Sequence, residues 1–470
     1  MNNLNFLVDV LKESPVFKTL EKNVKPGRTV CASGLSTINK SNIIYALCRL
    51  KGVTAFCLAS DEKEAQTLCN DLSCMGLRAY VYPVRDFNFL DFQSRSHEYE
   101  HARLKVLLKL INHECDVAIA CVDAAAQLTV PRNVLEQSVI EFEEGRELSL
   151  EKATKALTLL GYERFDAVEG SGQFSLRGGI LDFFMPDSDY PVRCEFWGDE
   201  ITDLSYFDIE TQRRFKKADK ITLSPSTEIV IEDRAALADK IEHKAKLLRS
   251  KNSAKAKEKL FSEAELIRSG AMIANADKFI NQIYDKPESL FDYLDRNTLV
   301  FASEFTAIQE RGKSMDFISN ETLMQGFEDG TLCRGFDRFA LTFNECTEFL
   351  QSHGTIVLEN FVHGSMPIKL SEIISFSTKQ LSAWGGSYKQ LKEDVDGLFT
   401  PESKGVIFAG TERAAKNLCD TFNADGINAV YSEGADKISK GELLVMQGAL
   451  SAGFEYPSQK FFAITYSQVS

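Results

Sequence analysis

Several features that assign proteins to specialised classes are missing from these 470 residues. No apolar run approaches the roughly 20 residues that cross a bilayer, and the N-terminal stretch carries acids where a signal peptide carries a basic region. The 11 cysteines form no CxxC pair, which disfavours a cysteine-based zinc site and is typical of reduced thiols packed inside a cytoplasmic protein. The sequence therefore predicts a cytoplasmic protein with no membrane segment.

The composition is that of an ordinary globular protein, with 44% hydrophobic and 26% charged residues. A chain of this length exceeds what one hydrophobic core serves, so two to four domains are expected. The formal net charge of −14 argues against a protein that coats nucleic acid with its whole surface, although a local patch can have the opposite sign.

The order of apolar runs predicts an α/β multidomain protein. Buried strands alternate with helices through the first 128 residues, which is the pattern of a parallel sheet. From about Leu128 the pattern changes to a helix and several strands, and Gly198-Asp199 is the turn signal of an antiparallel hairpin. We therefore predict a split α/β domain (1–128 and 216–340), an inserted small α+β domain (129–215) and an additional C-terminal α/β domain (345–470).

Two distant segments share one pattern. Residues 51–82 and 404–431 both begin with "KGV" and both predict strand, polar cap, helix, glycine and strand. Any βαβ unit makes the same demands, so a duplication is possible but not required. The chain stops after the strand "FFAITYSQVS" with no closing helix, which is typical of a truncated chain.

The segment "GLSTINKS", Gly34 to Ser41, is one substitution away from the P-loop G-x-x-x-x-G-K-[ST]. It follows a predicted strand and opens a predicted helix, as a P-loop does. Asn39 replaces the second glycine, and we expect its side chain to crowd the phosphate nest. No aspartate-rich second motif follows to hold Mg²⁺. Lys40 and Ser41 are therefore interpreted as parts of a relic that does not bind nucleotide.

The segment "HEYEH", His97 to His101, matches the zinc-peptidase pattern H-E-x-x-H with Glu98 as the general base. The extended pattern requires glycine and histidine where Leu104 and Leu107 stand. The alternative is a polar first helical turn whose glutamates suit the helix dipole, and we favour it. No G-x-S-x-G motif and no convincing pair of catalytic acids is found.

One stretch is basic in this acidic chain. Between Asp239 and Lys259 there are eight lysines and arginines against three acids. A nucleic-acid patch and a solvated helix face both explain this composition, and the solvated face is the commoner of the two.

The segments "SGQFSLRGGILDFFMP" and "VRCEFWGDEITDL" carry charged residues between phenylalanines. Alternate residues of a strand share a face, which turns Arg193, Glu195 and Trp197 outward and Val192, Cys194 and Phe196 inward. In the first segment the same rule sets Ser175 and Arg177 on one face, and Phe174, Leu176 and Ile180 on the other. An exposed face with arginine, glutamate and tryptophan has the composition of a protein-binding hot spot. Cross-strand salt bridges with a tryptophan over a domain junction are the alternative.

These segments, with "YPVRDFNFLDFQSRSHEYEHARLKVLLKL", "LSPSTEIVI" and the relic P-loop, closely resemble the module shared by the transcription-repair coupling factors and the excision protein UvrB. The coupling factors are favoured because Asn39 interrupts the P-loop that UvrB keeps. In addition, only about a dozen residues separate "YVYP" from the helix predicted at Ser96, too few for UvrB's DNA-clamping hairpin.

The resemblance implies a recruitment module that is not itself an enzyme and that binds UvrA through its inserted domain. Matched by position, Arg177, Arg193 and Glu195 fall on charged positions that face UvrA in the family, and Trp197 falls on an aromatic one. ATP with Mg²⁺, RNA polymerase and double-stranded DNA would be bound by later parts of the family's full-length protein, so no cofactor is expected here. A UvrB-type ATP-dependent DNA-processing enzyme is the alternative, and nucleotide binding at Lys40 and Ser41 would distinguish it.

The resemblance also leads to an expectation for one variant. Arg193→Ala should weaken UvrA binding about 30-fold without changing the melting temperature, because the side chain is taken to be exposed. Lys251→Ala on the basic stretch is its control.

Overall fold

The computed structural model describes residues 4–85, 97–137, 140–249, 253–270, 276–362 and 366–466. Strands and helices alternate through the first part of the chain, as the apolar pattern predicts. The elements in order are α1 (Asn5–Lys12), α2 (Pro15–Asn23), β1 (Val30–Ser33), α3 (Thr37–Lys51), β2 (Ala55–Ala59), α4 (Glu62–Cys74), β3 (Ala79–Tyr82), α5 (Glu98–Ile111), β4 (Val117–Cys121), α6 (Val122–Ala126) and α7 (Arg132–Gln137).

An inserted domain follows, built mainly of antiparallel strands. Its large sheet has the order β11-β10-β9-β8-β7-β6, a two-stranded sheet joins β5 to β12, and α8 adds Leu157 to their shared core. The elements are β5 (Ile140–Glu143), α8 (Leu150–Leu159), β6 (Glu163–Arg164), β7 (Gln173–Arg177), β8 (Ile180–Phe183), β9 (Val192–Trp197), β10 (Glu200–Phe207), β11 (Arg214–Lys217) and β12 (Lys220–Leu223). Because β12 pairs with β5, the insertion extends past the boundary predicted at residue 215.

The chain then returns to the first domain. The elements are α9 (Arg234–Leu247), α10 (Ser253–Ser269), α11 (Ile280–Ile283), β13 (Leu299–Ser303), α12 (Phe305–Asp329), α13 (Phe343–His353), β14 (Thr355–Leu358) and β15 (Glu372–Ser375). The basic stretch lies on two helices, α9 and α10, whose apolar faces share a buried cluster. Its Lys251 lies outside the described residues.

The first domain is organised around a parallel sheet of seven strands in the order β15-β1-β14-β13-β2-β4-β3. Every side chain of β1, β2, β4 and β14 is buried, as expected for parallel strands covered on both faces. The sheet corrects one predicted boundary. The strands β14 and β15, which we assigned to the C-terminal domain, pair with β1 and complete the first sheet instead.

The C-terminal domain has a six-stranded mixed sheet in the order β16-β20-β21-β17-β19-β18. The elements are β16 (Lys379–Leu381), α14 (Tyr388–Leu398), β17 (Lys404–Phe408), α15 (Glu412–Ala424), β18 (Ala429–Tyr431), β19 (Glu442–Met446), β20 (Gly453–Tyr456) and β21 (Phe461–Thr465). Its inner face joins the core of the first domain in one apolar cluster, where the rings of Phe6 and Phe461 lie 6.2 Å apart. The predicted architecture of a parallel-sheet domain, a small insertion and a C-terminal α/β domain is confirmed.

A buried ion pair fixes the insertion to the first domain. Arg103 of α5 donates from Nε to Glu228 Oε1 at 2.6 Å, and both side chains are fully buried. Thr129, on the chain that leads into the insertion, donates its hydroxyl to the same carboxylate at 2.7 Å. The segment that leads into the insertion and the segment that leads out of it therefore meet at Glu228.

Candidate functional site

The sheet β7–β11 presents one face to solvent, which we call the outer face. It carries Arg177, Arg193, Glu195 and Trp197, while Val192, Cys194 and Phe196 point into the core. The predicted alternation along β9 is confirmed. The antiparallel β9–β10 hairpin is also confirmed, with Trp197 paired to Glu200 across Gly198-Asp199.

Gly178 and Gly179 form a turn between two strands. It joins β7 to β8, and Arg177 pairs directly with Ile180. Directly paired residues of an antiparallel ladder share a face, so Ile180 lies on the outer face with Arg177. Our prediction that Ile180 shares a face with Leu176, opposite Arg177, is wrong, because the turn resets the alternation.

Asp182, which sequence analysis missed, is the centre of the outer face. Its side chain is 1% exposed and receives two hydrogen bonds from Arg193, at 2.8 and 2.9 Å, and one from Arg177 at 2.9 Å. A single acid inside the apolar run "ILDFF" was the signal available. One carboxylate thus orients both arginines.

Arg193 is largely enclosed, contrary to our expectation of an exposed side chain. Only 13% of it is exposed. Its guanidinium lies 4.4 Å from the ring centre of Phe207 and donates to the backbone and side-chain oxygens of Gln212, both at 3.1 Å. The side chain is enclosed because the ring of Phe207, on the neighbouring strand β10, packs against its guanidinium. Arg193 therefore contributes to the packing of this domain.

The exposed part of the outer face is formed by other side chains. Trp197 is 82% exposed and Arg177 is 52% exposed. Glu195 is about one-third exposed and accepts a hydrogen bond from Arg214, which also donates to Asp203 at 2.9 Å. Among the described residues Arg177 donates to Asp182 alone, so its other N–H groups remain available. Arg177 and Trp197 are therefore the accessible side chains of the outer face, and the neighbouring charged residues are bound to one another in ion pairs.

The relic P-loop lies elsewhere, at the carboxyl edge of the first sheet. Lys40 is 2% exposed, and its Nζ contacts Glu304 Oε1 at 2.5 Å, Ser303 Oγ at 2.9 Å and Glu64 Oε1 at 3.2 Å. Burial favours the protonated form of Glu64, but Lys40 and neighbouring hydroxyls outweigh it and hold its pKa below the ordinary value. Glu64 and Glu304 were missed by sequence analysis, although each closely follows a strand of this sheet.

Asn39 does not crowd a phosphate nest. Its side chain points to the C-terminal domain and donates to the Tyr456 hydroxyl at 3.3 Å, and Asn42 donates to the same hydroxyl at 3.0 Å. Ser41 donates to Asp71 at 3.2 Å. Our expectation that Asn39 crowds the nest is therefore wrong, since Asn39 and Asn42 contact the C-terminal domain instead.

The histidine motif forms a polar helix start. His97 precedes α5, and Glu98 and Glu100 lie in its first turn, as the favoured interpretation predicts. His97 contacts Glu100 at 2.9 Å, while His101 Nε2 lies 3.1 Å from the backbone oxygen of Ser226. Burial lowers the pKa of His101. Within the described ranges there is no group of three or more His, Cys, Asp or Glu residues that could hold a metal ion.

The helix predicted at Ser96 begins at Glu98, and residues 86–96, on which the comparison with UvrB's hairpin depended, lie outside the described residues. Among the helices that the structure describes, none combines the length and hydropathy needed to cross a bilayer.

The inserted domain matches a known family model. Residues 140–229 match the model described as the UvrB interaction domain, which includes the whole outer face. The chain is thus a multidomain α/β protein that carries a domain of this kind.

Over nearly its full length the chain is similar to transcription-repair-coupling factors. It is 26% identical to that of Bacillus subtilis in an alignment of length 473 that covers 98% of this chain and 40% of the relative. Identity with the Staphylococcus epidermidis protein is 25% in an alignment of length 406 that covers 82% of this chain and 33% of the relative. With the Staphylococcus aureus protein it is 22% over 473 residues. The chain is a homologue of the transcription-repair-coupling factors, and the matches cover 33–40% of the length of these relatives.

Proposed function

We propose that the chain is the recruitment module of a transcription-repair-coupling factor and binds UvrA through the outer face of its inserted domain. The observation that carries this proposal is the match of residues 140–229 to the UvrB interaction domain in a chain homologous to the coupling factors. Trp197 is 82% exposed, which supports the choice of this face. Exposure of a large aromatic ring to water is unfavourable in free energy, and a binding partner that covers the ring removes this unfavourable term.

The arrangement of charges supports a protein partner. The guanidinium of Arg177 is a planar group of donors suited to a carboxylate, and its hydrogen bond to the buried Asp182 orients it. Ile180 lies beside it on the same face and adds apolar area. A complementary surface would bring an acid to Arg177 and an apolar pocket to Trp197.

The other activities in the proposal rest on resemblance alone. We assign ATP-driven movement with Mg²⁺, and contacts with RNA polymerase and double-stranded DNA, to portions of the full-length relatives that this chain does not span. For this chain we propose a binding role without catalysis.

A binding measurement with purified UvrA tests the proposal. The chain is titrated against immobilised UvrA and, in parallel, against immobilised UvrB, each without nucleotide. We expect saturable binding to UvrA that Trp197→Ala weakens. If the wild-type chain does not bind UvrA, the proposal is wrong. If it binds UvrB but not UvrA, UvrB is the partner instead.

A further inference from the structure

The relic motif Gly34–Ser41 no longer forms a phosphate-binding loop. In a P-loop the residues between the two glycines form a loop that wraps the phosphates, and the helix follows. Here α3 already begins at Thr37, so only Gly34, Leu35 and Ser36 connect it to β1. Three residues are too few to encircle a phosphate.

The backbone donors of this short loop are bonded within the chain. The N–H of Gly34 donates to the carbonyl of Asn360, and the N–H of Leu35 donates to the carbonyl of Glu359, both at 3.1 Å. On its other side Gly34 lies against Phe376, whose carbonyl oxygen is only 2.2 Å from where a Cβ on Gly34 would lie. Two segments of the sheet edge thus occupy the space beside the loop.

Carboxylates surround the lysine that would bind phosphate. Glu304 and Glu64 contact the ammonium group of Lys40. Glu304 also accepts from the N–H of Asn360 at 2.9 Å, and the fully buried Glu359 accepts from the N–H of Phe305 at 2.8 Å. These contacts join β1, β2, β13 and β14 at their carboxyl ends.

Two further residues of the motif lie toward the C-terminal domain. Asn39 binds Tyr456 of β20. Ser41 binds Asp71, which accepts from the backbone and the hydroxyl of Ser451, both at 2.7 Å. Asn39 therefore contacts the C-terminal domain directly, and Ser41 is linked to it through Asp71.

We propose that the relic nucleotide motif has become an internal lock, in which the carboxylates of Glu64 and Glu304 replace phosphate around Lys40 and Asn39 anchors the C-terminal domain. The Lys40 cluster holds together the strand ends of the first domain, and the contact of Asn39 with Tyr456 joins that domain to the C-terminal domain, both without a ligand. This inference concerns the first and C-terminal domains and does not depend on UvrA binding.

Restoring the sequence motif tests the first part. The variant Asn39→Gly has the complete pattern G-x-x-x-x-G-K-S. Because α3 starts too early and the loop donors are occupied, we expect no binding of MgATP or inorganic pyrophosphate by calorimetry at millimolar concentration. Micromolar MgATP binding by Asn39→Gly, abolished by adding Lys40→Ala, would overturn the lock.

Charge removal tests the second part. Breaking a buried ion pair from one side leaves unpaired charge, so Lys40→Met should lower the midpoint of thermal unfolding by roughly 5–15 °C. The triple variant Lys40→Met/Glu64→Gln/Glu304→Gln removes the charges together and should recover at least half of that loss. If the triple variant is no more stable than Lys40→Met, or if Lys40→Met is as stable as wild type, the charge lock is wrong.

Lys404→Met is the matched control. Lys404 is 12% exposed, so it is enclosed like Lys40, but the structure gives it one acidic partner, Glu13, at 2.6 Å. Glu13 is half exposed, so its carboxylate stays hydrated when the lysine is removed. Its loss should shift the midpoint by only a few degrees. A shift as large as that of Lys40→Met would mean that any enclosed lysine gives the effect, which would also overturn the lock.

Discussion

Arg193 and Asp182 are direct cross-strand partners on β9 and β8, joined by two hydrogen bonds in the outer face of the inserted sheet. The carboxylate is 1% exposed and the guanidinium side chain 13% exposed. This pair therefore belongs to the structure of the domain, while the neighbouring Arg177 and Trp197 are available to a partner. The two roles can be separated by mutation.

Arg193→Ala is expected to destabilise the inserted domain by about 2–4 kcal/mol, because it leaves Asp182 buried without its main partner. The measurement is thermal unfolding, combined with hydrogen exchange of β8 and β9. An unchanged melting temperature would contradict the structural role and return Arg193 to the exposed position expected from the sequence.

Trp197→Ala is expected to weaken UvrA binding about 30-fold or more with little change in stability. Truncation of a central interface aromatic costs about 2–4 kcal/mol of binding, and about 1.4 kcal/mol is tenfold. Titration against immobilised UvrA measures this. Phe317→Ala is the control, because Phe317 on α12 is 65% exposed but lies outside the inserted domain; equal losses for both variants would rule out a specific role.

Arg177→Ala should weaken UvrA binding about tenfold or more and should leave the melting temperature within a few degrees of wild type, since the two bonds from Arg193 still satisfy Asp182. The exposed Arg413 on α15 provides the arginine control. An unchanged UvrA affinity for Arg177→Ala would exclude this residue from the interface.

The buried Glu359 leads to a prediction for the pH dependence of stability. Burial, together with the charge of Glu304, raises its pKa to about 7 from 4.5. The folded state therefore holds this proton over a range where the unfolded chain has lost it, so the contribution of Glu359 to stability falls as pH rises from about 4.5 to 7. Glu359→Gln should stabilise the protein by up to about 3 kcal/mol at pH 8 and much less at pH 5. Unfolding at both pH values checks this, and an equal effect at the two would refute it.

Gly34 and Gly52 form a matched pair for backbone strain. Both have positive φ, +80° and +61°, but a Cβ on Gly34 would meet the Phe376 carbonyl whereas Gly52 has open space. Gly52→Ala should cost about 1 kcal/mol. Gly34→Ala should cost several times more and loosen β15, which thermal unfolding and hydrogen exchange of residues 372–375 would measure. Similar costs for the two variants would mean that the contact with Phe376 yields easily.

Local patterns in the sequence predicted local structure well. The two "KGV" segments both fold as strand, helix and strand, β2-α4-β3 and β17-α15-β18, and in each sheet another strand lies between the two. The likeness extends to single contacts, since Cys69 donates to the carbonyl of Ala79 and Cys419 to that of Ala429. Alternation along β9 was equally readable, because burial of one face sets a period of two.

Pairing between distant segments could not be predicted in the same way. Nothing in "VCAS" indicates that β1 lies between β14 and β15, because a strand buried on both faces has no distinguishing pattern. The contact of Lys40 with Glu304 depends on such distant pairing. Asp182 pairs locally, between β7 and β9, and was missed because the turn at Gly178-Gly179 sets its face. The outer location of Arg193 was predicted, whereas its enclosure depended on Phe207 of the next strand.

The place of β1 in its sheet has a consequence for synthesis on the ribosome. Both neighbours of β1, β14 and β15, lie more than 300 residues later, so at about 5–20 residues per second the strand waits roughly 15–65 s for them. The inserted domain pairs only among residues 140–223 and can fold while the first sheet is still open. During that interval both edges of β1 lack their hydrogen-bonding strands, so the nascent chain carries unpaired backbone groups that could pair with other chains.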